Sequence, residues 1–283
     1  MSKTQFPSAL RLSLGCCLLL PLAGCGGPAA STEPGQGTPQ PRALAPASVS
    51  ASAGSGVAAA ARKQAAKEGK YLFLFFWKTD DDGTAALRTL FDETLAKVAD
   101  RANAVVVDVT DPAEKPIVDE YGLSRAPMPL VLAVAPNGAI TGGFPTRFTE
   151  HDLLSAFATP ATQACMKSLQ DGKLVFLCVQ NEQTGMNEEA MRGVQDFAAD
   201  DRFREASQIV LLDPCDVAEK PFLSDLEIDP ATKTAVTVFL APPGAPIAML
   251  EGGTTKDQFL AELEKAGSCG PGGACGPGGC GPQ

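Results

Sequence analysis

From Val57 onward the apolar positions change period block by block, and the blocks read as alternating helices and strands. Val57 to Lys67 is rich in alanine, the strongest helix former, and is predicted helical. Tyr71 to Trp77 is a continuous apolar run of strand length, the pattern of a strand covered on both faces. Leu87, Leu90, Phe91, Leu95 and Val98 then fall on one helical face. Ala104 to Val109 and Leu130 to Ala135 read as further buried strands. Asn137-Gly138 is a hairpin turn into a strand near Ala139 to Phe144. Thr149-Glu150-His151-Asp152 before Leu153 and Leu154 has the form of a capping box opening a helix.

The same order returns about one hundred residues later. Leu174 to Val179 is a strand, and Ala190, Val194, Phe197 and Ala198 line a helix. Ile209 to Asp213 is a second strand, Val236 to Leu240 with Ile247 to Leu250 a hairpin, and Thr255 to Leu263 a closing helix. The repetition extends to short motifs. Asp111-Pro112-Ala113-Glu114-Lys115-Pro116 recurs as Asp216-Val217-Ala218-Glu219-Lys220-Pro221 at an offset of 105, Gly69-Lys70 as Gly172-Lys173 at 103, and Asn137-Gly138 as Pro243-Gly244 at 106. Offsets that drift so little across the whole unit mark a duplicated domain. The fold class is therefore α/β, with tandem sandwiches of mixed sheet at 57–160 and 161–267.

Composition changes the picture at both ends. Lys3 and Arg11, an apolar stretch from Leu12 to Leu22 and small residues before a cysteine form a secretory signal, and the stretch is too short to span a bilayer. Leu22-Ala23-Gly24-Cys25 resembles the lipobox of bacterial lipoproteins. That resemblance implies cleavage after residue 24, acylation of Cys25 by chains such as palmitate, and anchoring to a membrane on its extracytoplasmic side, at the periplasmic face or the cell surface. Several acyl chains supply the multiple signals that stable anchoring needs. Residues 26 to 56 lack large apolar side chains and read as a flexible linker, and 268–283 is a Gly/Pro/Cys tail. Loss of residues 1–24 takes the formal net charge from −10 to −12, so nucleic acid is excluded as a partner.

Phe76-Trp77 ending the first strand, Val106-Val107-Asp108, Tyr121-Gly122-Leu123, and Met128-Pro129 followed by Leu130-Val131-Leu132 and Pro136-Asn137-Gly138 together resemble the thioredoxin fold. The second unit resembles it more weakly, mostly through the repeat. The resemblance implies two cysteines separated by two residues where the first strand turns into a helix, because the helix end stabilises a thiolate. Counting on from Trp77 gives Asp81-Asp82-Gly83-Thr84, and the second unit gives Gln183-Thr184-Gly185-Met186. Neither holds a thiol. The aspartates suit helix capping. They fail as a calcium loop, with Lys78 at the first ligand position and Thr89 at the last.

The family also carries a cis proline along which extended substrates align. Counting forward from Tyr121 points to Pro127, and counting back from Gly138 points to Pro129, which the strand register favours. In the second unit Ala235 stands at that place. The binding candidates are thus Pro129, Trp77 and Asp81, and no catalytic set is assigned.

Of the remaining cysteines, Cys178 reads as a buried small hydrophobe. Cys165 has no assignable partner, and Cys215 lies near the second loop as a redox candidate. Cys269, Cys275 and Cys280, each in Cys-Gly-Pro, leave three readings open: disulfides, a passive tail, or a soft metal ion such as Cu(I) as the one possible cofactor. The only histidine, His151, lies at a helix start, so no Ser-His-Asp or Cys-His pair is indicated, and no phosphate loop appears.

The expected function is a non-catalytic, protein- or peptide-binding lipoprotein, with a redox relay through Cys215 or the tail as the alternative and soft-metal binding as a third. Cys25→Ser is expected to abolish fatty-acid incorporation and move the chain to the aqueous phase of a detergent partition. Undiminished radiolabelled-lipid incorporation in that variant would overturn the lipobox assignment.

Overall fold

A computed structural model describes residues 56–267. The first half runs α1 (Val57–Glu68), β1 (Tyr71–Trp77), α2 (Asp82–Ala96), β2 (Ala102–Asp108), α3 (Lys115–Glu120), β3 (Leu130–Val134), β4 (Ile140–Pro145) and α4 (Glu150–Ser155). The second runs α5 (Pro160–Gln170), β5 (Leu174–Val179), α6 (Asn187–Ala198), β6 (Ser207–Leu212), α7 (Lys220–Asp225), β7 (Val236–Ala241), β8 (Ala245–Glu251) and α8 (Lys256–Gly267). The sheets have the orders β2-β1-β3-β4 and β6-β5-β7-β8, so the duplication read from the motifs is a duplication of topology.

In each sheet the central strand pairs parallel on one side and antiparallel on the other, Phe75 facing Val106 and Val131, and Cys178 facing Leu211 and Thr237. Its continuous apolar run follows from that place. Leu72, Leu74 and Phe76 pack beneath Ala58, Ala61 and Ala65 of α1, while Phe73 and Phe75 pack with Phe91 and Leu95 of α2. Both faces of β1 are core, so no polar residue is tolerated there. The small alanine face lets α1 lie close on the sheet, and Gly69, left-handed at φ 66°, ends that helix as Lys70 N donates to Ala65 O at 2.9 Å. The box at Thr149 forms, with Thr149 and Asp152 satisfying each other's backbone N–H.

The structure adds two elements that periodicity does not show. The repeated hexapeptide is a turn that opens a six-residue helix, α3 in one half and α7 in the other. Asp111 and Asp216 accept the N–H two residues on, at 2.8 and 2.9 Å, and Pro116 and Pro221 stand in the first helical turn, where a missing N–H costs nothing. The glutamate between them turns inward and is 4% exposed in both halves. Glu114 accepts the N–H groups of Val57 (2.5 Å) and Ala58 (3.3 Å), two of the orphan donors at the start of α1. Glu219 accepts the hydroxyl of Thr159 at 2.8 Å, and that threonine caps α5 by accepting Thr162 N. Gly56 fits beside this clamp only without a side chain: a Cβ there would lie 2.5 Å from Ala113 O.

Few residues separate α4 from α5, and the halves touch. Gln170 on α5 grips the free edge of β4 with both ends of its amide, Ile140 N donating to Oε1 at 2.9 Å and Nε2 donating to Ile140 O at 2.7 Å. The Tyr71 hydroxyl donates to Ala158 O and accepts Ala158 N at the junction.

Glu114→Ala is expected to lower stability by about 1–3 kcal/mol in chemical denaturation, the scale for leaving a buried donor unsatisfied. Burial is the main influence on Glu219 and holds its carboxyl above the ordinary range, against the opposing Thr159 hydrogen bond. A folded value above the unfolded one gives stability that is full below the unfolded value and lost as pH rises through the folded one. Glu219→Gln should flatten that part of the stability–pH profile while keeping an acceptor for Thr159.

Candidate functional site

The carboxyl ends of the two parallel strands in the first half, β1 and β2, deliver Trp77, Lys78 and Val109 to one end of the sheet, where ligands collect in open α/β sheets. Asp81 is the N-cap of α2, its Oδ1 accepting Thr84 N at 2.8 Å. That hydrogen bond, first among its influences, holds the carboxyl below the ordinary range. That helix end is therefore capped by a carboxyl side chain, and the helix-cap reading of the acidic loop is the one the geometry shows. Asp82 and Gly83 are exposed and Thr84 is buried.

The peptide bond between Met128 and Pro129 is cis, so the cis bond falls at Pro129 and not at Pro127. Pro129 O accepts Thr146 N at 2.7 Å, which ties the proline to the start of the β3–β4 ladder. Immediately before it, Met128 is half-buried, and among the described residues neither its N–H nor its carbonyl has a partner. Beside Met128 opens a cavity of about 480 Å³ lined by Lys78, Val109, Pro112, Val118, Leu123 and Met128, among others.

The expected binding residues therefore separate. Trp77 packs against the α2 side of the sheet and, like Asp81, does not line this cavity. Pro129 adjoins it through Met128. The lining residues that the sequence pattern missed are Lys78 and a set between Val109 and Met128, and only the rule about parallel strand ends could have pointed to them.

The second half presents the same place differently. Its helix α6 begins at Asn187, so the positions at the helix end that match Asp81–Thr84 are Met186–Glu189, three residues beyond the expected Gln183–Met186. The extra length is held by local bonds: Thr184 Oγ1 accepts Asn181 N at 2.9 Å, and Asn187 Nδ2 donates to Asn181 O at 2.7 Å. Cysteine is absent from both registers. Ala235 occupies the place of Pro129, since its carbonyl accepts Gly252 N at 2.7 Å as that of Pro129 accepts Thr146 N. It keeps an N–H that proline lacks, and this N–H donates to Gly185 O at 2.9 Å.

Both halves have a thioredoxin-like fold. What makes them so is the strand order, a helix starting where the central strand ends, and in the first half the cis proline before β3. Solved structures that resemble the chain include the first two thioredoxin domains of Saccharomyces cerevisiae Eps1p, at 10% identity and TM-score 0.28, covering 82% of this chain and 99% of that one. A domain of alkylhydroperoxide reductase AhpF from Enterococcus faecalis matches at 16% identity and TM-score 0.25, covering 72% and 98%. A disulphide isomerase from Xylella fastidiosa Temecula1 matches at 17% identity and TM-score 0.27, covering 34% and 81%. No family model and no curated protein matches the chain.

The cysteines within the thioredoxin-like halves divide into two kinds. Cys165 on α5 and Cys178 on β5 are buried, and desolvation, the leading influence on each, pushes both thiols up to about 12. Cys215 is exposed, and its backbone N–H donates to Asp213 Oδ1 at 2.9 Å, the oxygen that also accepts Asn181 Nδ2 at 2.7 Å. One carboxylate thus places Cys215 beside the α6 loop. His151 is exposed on α4. Among the described residues no group of three or more His, Cys, Asp or Glu is arranged to hold a metal ion. Cys25, Cys269, Cys275 and Cys280 lie outside the described residues.

In the native protein a maleimide is expected to label Cys215 rapidly and to leave Cys165 and Cys178 untouched until denaturant is added, because the thiolate is the reactive form. Peptide mass spectrometry of labelled protein checks the order. Early labelling of Cys178 would contradict the packed β5.

Proposed function

We propose that the chain is a lipid-anchored, extracytoplasmic binding protein whose first thioredoxin-like half holds an extended segment of a protein partner. The observation that carries this reading is the unpaired backbone of Met128 beside the cavity. A strand edge with a free donor and acceptor recruits an extended chain through main-chain bonds, and a neighbouring pocket selects side chains. Val109, Val118, Leu123 and Met128 supply apolar wall, and Lys78 a cation. With aspartate in the attacking position, disulfide exchange has no nucleophile there. Acylated Cys25 and the linker behind it would hold this site at a membrane surface, on the periplasmic face or outside the cell.

Thiol–disulfide exchange is the second reading, and the exposure of Cys215 beside the α6 loop favours it. It needs a resolving thiol, for which the tail cysteines are the candidates.

The full chain is expected to reduce insulin disulfides no faster than a free-thiol background. A pool of ten-residue peptides with a central benzophenone is expected to crosslink at Ala126–Met128. Turnover well above background that is lost in Cys215→Ser would favour the redox reading, and absence of crosslinks at this segment would overturn the binding one.

A further inference from the structure

Ahead of the last strand pair, the two halves differ in one side chain that faces the same backbone groups. Pro129 and Ala235 stand in the same register, so Met128 answers to Thr234, and Ala126 to Thr232. In the first half Ala126 lines the cavity and offers nothing to the free N–H and carbonyl of Met128. In the second, the Thr232 hydroxyl engages both groups of Thr234, donating to the carbonyl at 2.9 Å and accepting the N–H at 3.4 Å. A hydroxyl can do both because it is donor and acceptor at once.

The threonine is held where it can reach them. Asp229 accepts Ala231 N at 2.8 Å through Oδ1 and Thr232 N at 3.0 Å through its carbonyl, a turn that fixes the backbone carrying the hydroxyl. Beyond it, Gly185 accepts Ala235 N and donates to Lys233 O, which pins the chain on either side of Thr234 and leaves the groups of Thr234 itself to Thr232. An incoming strand exchanges one N–H and one carbonyl with the residue it faces, and these are the two that the hydroxyl takes. The surroundings still suit an apolar chain. Val217, 70% exposed, stands where Pro112 lines the first cavity.

We infer that Ala126 and Thr232 decide which half takes an extended segment: the alanine leaves the first edge open, and the threonine hydroxyl satisfies the second, so that a segment binding there must displace it. The inference rests on the reading of Met128 as a peptide-binding edge. Its scale follows from the bonds exchanged. A net hydrogen bond changes an equilibrium constant by a factor of about two to ten, so the hydroxyl biases binding toward the first half by about tenfold and does not seal the second.

The test uses the full chain in detergent and the benzophenone peptide pool, with peptide mass spectrometry to place each crosslink. In the wild type, labelling at 126–128 should exceed that at 232–234 by about tenfold. Thr232→Val removes the hydroxyl and keeps the branched shape, and it should raise labelling at 232–234 severalfold. Ala126→Thr and Ala126→Val add the same bulk to the first edge, and labelling at 126–128 should fall severalfold further in the threonine variant. Continued protection of Cys165 and Cys178 from maleimide is the folding check for Thr232→Val, and the Ala126 pair decides the matter if that variant fails it. Equal labelling of the two segments in the wild type overturns the inference. So does a folded Thr232→Val that takes no more label at 232–234 than the wild type, or an Ala126→Val that loses as much label as Ala126→Thr. Labelling at 232–234 in Thr232→Val with none at 126–128 in any protein overturns the first-half reading and leaves the role of Thr232 standing.

Discussion

A buried carboxylate under the first helix of each half is the interaction from which the rest of the architecture follows. A helix that starts inside a fold leaves backbone donors without partners, and a buried acid without donors is equally costly. Glu114 and the start of α1 answer each other's need, and Glu219 does the same for α5 through Thr159. The glutamate sits between an aspartate turn and a proline-led helical turn, so one hexapeptide fixes where the crossover from β2 ends, where α3 begins and where the chain enters α1. Such joint constraint accounts for its survival in both copies while most of the surrounding residues differ.

With the frames held alike, small substitutions decide what each half can do. Pro129 and Ala235 stand in the same register and accept the same kind of bond from the strand beyond, but only the alanine can donate. That N–H ties the loop before α6 to the segment before β7, a bond that Pro129 cannot make. At the helix ends the contrast is similar. Asp81 caps α2 with its side chain, whereas Met186, at the N-cap of α6, makes no side-chain cap.

The strands buried on both faces were legible because their composition permits little else: β1 and β5 have the limits that the apolar runs predict. Edge strands were less sharply drawn. β2 begins at Ala102, two residues before the apolar run suggests, since most of its residues are only partly buried and Asn103 is tolerated there. The helices α3 and α7 escaped because six residues containing a proline show no period. The place of the cis bond could be read from strand register, but the cavity beside it could not, as its walls come, Lys78 apart, from the irregular stretch between Val109 and Met128, which shows no period. The three-residue error at the second helix end has a specific source: the bonds among Asn181, Thr184 and Asn187 lengthen the loop, and nothing in the spelling of those residues announces them.

The grip of Gln170 on Ile140 bears on how many such units can be strung together. It works because an edge residue of β4 offers both an N–H and a carbonyl. In the second sheet the register puts Pro246 where Ile140 stands, opposite Leu240 as Ile140 is opposite Val134. An imino acid gives the carbonyl and withholds the proton, a common way of blunting a sheet edge. Stacking in this protein is thus polar and self-limiting: the first half is built to receive a neighbour, the second to be one, and a third copy placed after α8 would find no two-point hold on β8.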